Sequence, residues 1–378
     1  RDRSPSRGLG DVYKRQNSTC VEFKRSSDMT VDFSVNGNMA SITLNKPELL
    51  NALSFDMIKE ITSILKFVKK DQNINFVLLK AKGEKAFCSG GDVVKFYEEN
   101  FTNRFKLRKE FFYQEYKLNH MIKKFPKPII SFVNGICMGG GVGLSAHGSI
   151  MVVSERVKFA MPETAIGLFP DVGAGNLLSS LPGELGAYLA LTGKRLNSAD
   201  LLSLGIAKYC VPYNKFNYLE EILVKAKDVQ TIESKIKSFV IKPESKMFPV
   251  LNDEISNCFK FENVEDIISE LEKSESDWAE EALDLIGKMS PTSLKITLRQ
   301  IRLARNMSFE EDLIMEYRLS QACMRGHDFY EGVRSVLVDK DHTPRWKPKL
   351  LKRVTKQMVD SHFISLGKND LKLGLRKR

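Results

Sequence analysis

The stretch from Pro128 to Gly175 constrains the fold of this chain of 378 residues more than any other part of it. Residues 129–153 contain no charged side chain, and they open with the apolar, β-branched run 129–133, which predicts a buried strand. A bilayer-spanning helix needs about 20 predominantly apolar residues, but this run is interrupted by glycines and polar side chains. We therefore expect a buried strand, helix and strand, and no membrane span.

A glycine-rich turn, GGGVG at 139–143, lies where the predicted strand gives way to a helix. Glycines at such a junction let backbone N–H groups approach a ligand closely, and the first N–H groups of a helix have no partner inside it. Two carboxylates follow on turn-like segments, Glu163 in MPET and Asp171 in FPDVG. Together these features suit a reaction that develops negative charge on its substrate, whereas a glycine turn alone often serves only close packing.

The better-known motifs for such a turn do not fit these residues. Leu144 stands where a dinucleotide-binding G-x-G-x-x-G pattern needs its last glycine, and no Gly-Lys-Ser/Thr ends a phosphate-binding loop. Ser145 lacks the flanking glycines of a nucleophile elbow, because residue 147 is histidine. We therefore interpret Ser145 and His147 as packed helix residues and not as a catalytic pair.

The net charge of +11 is concentrated at the two ends of the chain. Residues 1–16 carry a net +3 and residues 349–378 a net +7, so that the chain between them is close to neutral. Charge placed in this way is typical of solvated tails, and we expect no nucleic-acid partner. The six cysteines form no C-x-x-C pair and no H-E-x-x-H motif occurs, which predicts reduced thiols and no metal.

The two ends are interpreted separately from the fold. We expect residues 1–28 to form a disordered tail, within which residues 1–16 resemble translated sequencing adapter and not native protein. The final residues, Leu375–Arg378, do not form the peroxisomal Ser-Lys-Leu signal.

Local patterns predict strands and helices in alternation through the first half of the chain. Residues 31–44 predict a hairpin, Ser54 caps a helix that reaches residue 68, and residues 75–81 predict a buried strand. A long amphipathic helix is predicted over 103–124, and it contains Glu115. A second glycine turn, at 89–91, lies between the strand and this helix.

The domain organisation follows from where the strand patterns end, at about residue 216. We predict an α/β fold with a core over 29–225 and a helical carboxyl-terminal region over 226–378 that ends in a basic tail. The segment 242–248, rich in Lys, Ser and Pro, is the best candidate for a boundary.

Three motifs resemble the crotonase superfamily of coenzyme A thioester enzymes: FCSGGD at 87–92, GICMGGGVGLS at 135–145 and FAMPETAIGLFPDVGAG at 159–175. Segments at 290–300 and 315–348 are similar in particular to its 3-hydroxyisobutyryl-CoA hydrolase branch, which acts in valine breakdown. The resemblance covers about residues 30–370, and it implies a spiral of β-β-α units. In this superfamily, backbone N–H groups of the two glycine turns bind the carbonyl oxygen of the thioester. By motif position these donors are Gly91 and Gly140, and the carbonyl of Ser89 meets the adenine of coenzyme A.

The resemblance also assigns roles to three carboxylates. Hydratases of the superfamily carry a glutamate three residues after the middle glycine, where this chain has Gly143. Their second glutamate corresponds to Glu163, and the hydrolase branch adds Asp171 and a substrate-contacting Glu115. Glu163 is then the principal catalytic carboxylate, acting either as a nucleophile that forms a mixed anhydride or as a general base toward water. Asp171 would bind the 3-hydroxyl group or move protons.

The function that this resemblance implies is hydrolysis of 3-hydroxyisobutyryl-CoA, with 3-hydroxypropionyl-CoA as a further candidate substrate, in the mitochondrial matrix. No cofactor is expected, because coenzyme A is part of the substrate, and a homo-oligomer is left open. Two alternatives stand beside it. One is a structural component of the mitochondrial ribosome, for which the basic tail would suit RNA phosphates. The other is a hydratase or isomerase acting on another acyl-CoA, against which Gly143 argues.

Overall fold

The computed structural model describes residues 20–22, 29–102, 106–244 and 248–374. Within the tail that the sequence predicted to be disordered, Cys20–Glu22 pairs as a strand with residues 34–36. The rest of residues 1–28, and the sequence Leu375–Arg378, lie outside the described residues.

A seven-stranded sheet forms the larger layer of the described fold, in the order β1-β2-β3-β4-β6-β8-β10. The pairs β1–β2 and β2–β3 are antiparallel, and every later pair is parallel. Its strands are β1 (Cys20–Glu22), β2 (Val31–Asn36), β3 (Met39–Leu44), β4 (Phe76–Ala81), β6 (Ile129–Val133), β8 (Ile150–Val153) and β10 (Tyr209–Cys210).

A smaller parallel sheet consists of three strands that each follow a strand of the larger sheet. These are β5 (Ala86–Cys88), β7 (Ile136–Met138) and β9 (Lys158–Ala160). The chain thus passes from β4 to β5, from β6 to β7 and from β8 to β9, and each passage is followed by helical structure. This is the spiral of β-β-α units that the motifs predicted, and the prediction of an α/β fold is confirmed.

Helices cover both faces of the larger sheet and make up most of the chain beyond β10. In chain order they are α1 (Phe55–Lys70), α2 (Val94–Thr102), α3 (Lys106–Lys123), α4 (Gly140–Ser145), α5 (Ala174–Ser179), α6 (Leu185–Thr192), α7 (Ser198–Ser203), α8 (Phe216–Leu223), α9 (Val229–Lys237), α10 (Phe248–Phe259), α11 (Val264–Lys273), α12 (Asp277–Gly287), α13 (Pro291–Ala304), α14 (Phe309–Cys323), α15 (Asp328–Val333) and α16 (Lys356–His362).

The larger sheet is buried on both faces, which explains why its central strands are almost wholly apolar. Side chains of a strand point alternately to opposite faces. In β4, Val77 and Leu79 therefore join the main apolar core, whereas Phe76 and Leu78 join a second cluster under α8 and α9. The main core includes residues from Val31 to Leu371, so that it draws on both halves of the chain.

Several local predictions are confirmed. The hairpin over 31–44 forms as β2 and β3, and the Ser54 side chain caps α1 by accepting a hydrogen bond from Met57 N at 3.2 Å. The helix predicted over 103–124 is α3, which is described from Lys106 onward. Short strands such as β5 and β7 were not predicted, because three residues are too few to show a period.

Two carboxyl-terminal helices pack against elements that bear or adjoin the predicted site residues. α14 contacts α3, which bears Glu115, and α13 contacts α5, which follows Asp171. The helical region therefore supports the site directly. The domain boundary at 242–248 stays a prediction.

Candidate active site

The three strands of the smaller sheet end at one edge, and the predicted site lies there. Ser89–Gly91 follow β5, Gly139 and Gly140 follow β7, and Glu163 lies three residues after the end of β9. Parallel strands place their carboxyl ends at the same edge of a sheet, where ligands commonly bind. Three motifs that are far apart in sequence are thus neighbours for a simple topological reason.

Both glycine turns adopt backbone conformations that L side chains rarely reach. Gly90 has φ +114° and Gly139 has φ +48°, so that a glycine is needed at each position. Gly140 is the first residue of α4, and its N–H therefore has no acceptor inside that helix. A Cβ atom on Gly140 would lie 3.5 Å from Gly91 N. Gly91 and Gly140, which bear the two predicted N–H donors, are therefore close neighbours.

Two carboxylates converge on the second glycine turn. A Cβ atom on Gly139 would lie 2.8 Å from Glu163 Oε1, and a Cβ atom on Gly140 would lie 2.7 Å from Glu115 Oε1. Both distances are too short for any real side chain. The two carboxylate oxygens thus occupy space that side chains at residues 139 and 140 would fill.

Glu163 opens a short 3-10 helix, Glu163–Ile166, immediately after Pro162. Gly167, with φ +69°, ends this helix, and Ser290 N at the start of α13 donates to Thr164 O at 3.1 Å. The Glu163 side chain is buried, and its Oε2 atom has no hydrogen-bond partner among the described residues.

Asp171 lies in the turn before α5, and its carboxyl receives a hydrogen bond from a residue that sequence reasoning missed. The Tyr116 hydroxyl donates to Asp171 Oδ2 at 2.8 Å, and both side chains are buried. Tyr116 directly follows Glu115 on α3. The sequence offered no signal for it, because a tyrosine on an amphipathic helix is normally a packing residue.

Burial dominates the electrostatics of the three carboxyls. It raises the pKa of Asp171 to about 7, even though the hydrogen bond from Tyr116 acts in the opposite direction. The pKa of Glu163 is raised well above its ordinary value by burial and by the charge of Asp171. The pKa of Glu115 is raised in the same way, with Glu163 as a further cause. The cluster therefore retains protons near neutral pH.

A cavity of about 460 Å³ contains all of these groups. Its lining includes every residue that the sequence predicted for the site: Ser89, Gly91, Glu115, Gly140, Glu163 and Asp171. Apolar side chains such as Phe111, Leu168 and Met289 line it as well, while Arg195, Lys288 and His342 add exposed nitrogen-bearing side chains. The cavity thus combines an apolar, acidic interior with basic groups that are open to solvent.

Gly143 stands where the resembling hydratases carry a glutamate, and no side chain fits there. A Cβ atom would lie 2.7 Å from Asn119 Nδ2 and 2.7 Å from Val172 Cβ. Asn119 belongs to α3, one turn beyond Glu115, and it is completely buried. The space next to the turn is therefore filled by neighbouring elements.

Ser145 and His147 are packed residues, as the sequence indicated. The Ser145 hydroxyl donates to Gly141 O at 2.8 Å. His147 Nε2 lies 2.7 Å from Val172 O, and burial lowers the pKa of His147 to about 4. The imidazole is therefore neutral at physiological pH, and it contacts Phe309 edge to face.

Two other kinds of site are absent from the described ranges. There, no group of three or more His, Cys, Asp or Glu side chains is arranged to hold a metal ion. No described helix is both long and apolar enough to cross a bilayer. The absence of a metal and of a cofactor from the reaction stays a prediction.

Comparison with known proteins agrees with the site motifs. The sequence profile of the enoyl-CoA hydratase/isomerase family matches residues 39–363. The mitochondrial 3-hydroxyisobutyryl-CoA hydrolase of Homo sapiens is 44% identical over 373 residues, with 96% of each chain covered. The protein of the same name from Mus musculus is 48% identical over 338 residues, with 88% of each chain covered.

Two solved structures share the fold over most of the chain. A carnitinyl-CoA dehydratase from Mycobacterium thermoresistibile superposes with a TM-score of 0.86 at 35% identity, covering 92% of this chain and 99% of its own. An enoyl-CoA hydratase from Rhodobacter sphaeroides 2.4.1 gives a TM-score of 0.84 at 34% identity, with 91% and 100% covered. The chain belongs to the enoyl-CoA hydratase/isomerase family, in the branch whose curated members carry the name 3-hydroxyisobutyryl-CoA hydrolase.

Proposed function

We propose that this protein hydrolyses the thioester of 3-hydroxyisobutyryl-CoA to 3-hydroxyisobutyrate and free coenzyme A, in mitochondria. One observation carries the proposal: Glu163 and Asp171 share a cavity with the two glycine turns, while Gly143 leaves no room for the first glutamate of a hydratase. The names of the curated relatives support both the substrate and the compartment.

The glycine turns polarise the thioester in this mechanism. Attack on the carbonyl carbon moves negative charge onto the oxygen, which the N–H groups of Gly91 and Gly140 would bind. Preorganised donors of this kind are among the largest contributions to acyl-transfer catalysis, and losing one typically costs about 10²–10³ in rate. Both donors belong to the backbone, so that their positions depend on the glycine conformations and not on side-chain rotamers.

Glu163 supplies the step that cleaves the C–S bond. In one route its carboxylate attacks the thioester carbonyl, the coenzyme A thiolate leaves and takes up a proton, and water then hydrolyses the mixed anhydride. In the other route Glu163 removes a proton from water, and the resulting hydroxide attacks the carbonyl directly. The C–S bond then breaks, and the coenzyme A thiolate leaves with the proton that Glu163 took up. Both routes need an ionised Glu163, so that the protons which the cluster retains must then lie on Asp171 or Glu115. Both routes give one carboxylic acid and one thiol per water consumed.

Asp171 and Glu115 orient the acyl group. Tyr116 already donates to Asp171 Oδ2, which leaves Asp171 Oδ1 to accept from a substrate hydroxyl group. Glu115 lies against Gly140 and can contact the acyl chain from the other side. Arg195 and Lys288, which are exposed and line the same cavity, suit the phosphate groups of coenzyme A.

A second candidate function is hydration of an enoyl-CoA, which the names of the two solved structures favour. Hydratases of the superfamily position the attacking water between two glutamates, and here the first position is Gly143. The ribosomal alternative has no comparable support in the described site. We therefore regard hydration as a less well supported function than hydrolysis.

The test is an assay of free-thiol release with purified protein. We expect rapid release from 3-hydroxyisobutyryl-CoA, and release from 3-hydroxypropionyl-CoA is measured alongside it. Incubation with crotonyl-CoA, followed by mass analysis of the products, is expected to show no significant hydration. Hydration that rivals thioester cleavage would contradict the proposal and favour the second candidate.

A further inference from the structure

The segment 170–176, which carries Asp171, holds a strained backbone. Val172 has φ +58°, in the left-handed region that β-branched residues almost never adopt. Such conformations cost on the order of 1–3 kcal/mol, and they persist only where the surrounding structure fixes them. Asp171 directly precedes Val172, so that the contacts of this segment lie next to the predicted site residue.

Two buried carboxyls of α14 accept hydrogen bonds from backbone N–H groups that follow Asp171 in the chain. Glu316 Oε2 accepts from Gly173 N at 2.7 Å, and Glu316 Oε1 accepts from Gly175 N at 3.1 Å. One turn earlier on the helix, Asp312 Oδ2 accepts from Asn176 N at 2.6 Å. The start of α5 is thus held by both carboxyls at once.

Gln300 of α13 holds the same segment on the other side of Asp171. Its Nε2 atom donates to Pro170 O at 2.7 Å and lies 3.3 Å from Glu316 Oε1. Asp312, Glu316 and Gln300 are all completely buried. The backbone is therefore anchored immediately before and shortly after Asp171 by side chains that touch one another.

Packing alone does not explain acidic residues at these positions. Burial raises the pKa of Asp312 to about 7, and the pKa of Glu316 lies well above its ordinary value because of burial and the nearby charges of Asp312 and Asp171. Apolar residues of similar size would avoid this penalty. Acceptor oxygens are needed because the N–H groups of Gly173, Gly175 and Asn176, at the start of α5, have no acceptor within that helix.

We propose that Glu316 is a positioning residue for the reaction: with Asp312 and Gln300 it fixes the backbone of residues 170–176 and thereby aims the Asp171 carboxyl at the bound acyl group. The inference rests on the proposed function, because Asp171 is assigned to the substrate there. Glu316 does not line the cavity and touches no substrate in this scheme.

The test compares Glu316→Gln with the parent protein. Glutamine can accept at only one of its two terminal atoms, and its NH₂ group would face an N–H group. We expect kcat for 3-hydroxyisobutyryl-CoA to fall by about tenfold or more while KM changes by less than about threefold, since misplacing a reacting group commonly costs this much or more. Amide exchange over residues 170–177, followed by mass spectrometry, is expected to quicken in the variant.

A thermodynamic cycle separates positioning from general destabilisation. In the Asp171→Asn background, Glu316→Gln is expected to lower kcat by less than about twofold further, because both changes act through one carboxyl. Full additivity of the two losses would overturn the inference, as would an unchanged kcat in Glu316→Gln. If Glu316→Gln does not fold, Gln300→Leu removes the hydrogen bond to Pro170 O instead. We expect this variant, too, to lower kcat while KM changes little.

Asp200→Asn is the matched control. Asp200 is also a buried carboxylate that accepts from a backbone N–H, with Asn197 N at 3.1 Å, but it caps α7 away from the cavity. Its substitution is expected to leave kcat within about twofold of the parent value. A parent protein that releases no thiol would overturn the proposed function, and the exchange measurement alone would then decide whether Glu316 holds the segment.

Discussion

Glu163 differs from Asp171 in the hydrogen bonds that its carboxyl accepts. Asp171 Oδ2 receives a hydrogen bond from the Tyr116 hydroxyl, whereas Glu163 Oε2 meets no described donor. Leaving a buried acceptor without a partner destabilises the fold by about 1–3 kcal/mol, and such groups are concentrated where chemistry needs them. The difference between the two carboxyls agrees with a reactive Glu163 and a substrate-orienting Asp171.

The substitution Glu163→Gln retains the volume of the side chain and removes its charge and its basicity. We expect thiol release to fall by about 10²–10⁴, the usual effect of a positioned acid–base group, while KM stays similar because the glycine turns still bind the thioester. Glu275→Gln, at an exposed position on the same protein, serves as the control. Near-normal turnover by a folded Glu163→Gln protein would remove Glu163 from the mechanism.

At the scale of elements, the sequence predicted the residues of the site better than it predicted the short strands that bring these residues together. The motifs located the glycine turns, Glu163 and Asp171, because these residues belong to short sequence patterns that do not depend on periodicity. The three-residue strands that bring the turns together left no pattern to detect. Tyr116 and Asn119 were missed for another reason: on α3 they are buried by α4 and α14, and amphipathic spacing does not distinguish such residues from ordinary core.

The packing of α4 against α3 gives a prediction for Gly143→Glu. The new Cβ atom would lie 2.7 Å from Asn119 Nδ2 and from Val172 Cβ, so that we expect a loss of stability of about 1–3 kcal/mol or more and no gain of hydratase activity. Gly287→Glu is the control, since nothing lies within 4 Å of its Cβ position. Thermal unfolding of the two variants measures the effect, and equal melting temperatures would contradict it.

On the scale of the whole molecule, the buried carboxyls couple the stability of the fold to pH. Asp171 ionises at about 7 in the folded chain and at about its ordinary value of 3.8 when unfolded. Between these values the folded state binds more protons than the unfolded state. Stability therefore falls as the pH rises through this window, because unfolding releases a proton that the folded chain holds.

The Asp171→Asn variant tests this sign. We expect the parent protein to lose more unfolding free energy than the variant between about pH 4 and pH 7, by roughly 1–4 kcal/mol, since each pKa unit corresponds to about 1.4 kcal/mol. Asparagine keeps the bond from Tyr116 but does not titrate. Urea unfolding at several pH values gives the comparison, and two parallel profiles would show that Asp171 is not the group responsible.

The residues that line the cavity determine how much of the chain must be synthesised before the cavity is complete. The glycine turns and all three carboxyls emerge early, but Val336, Leu337, His342 and Pro344 complete the wall around them. Domains generally fold from the amino-terminal side as the chain leaves the ribosome. A nascent chain therefore completes the wall of the cavity only after the segment around Pro344 has been synthesised.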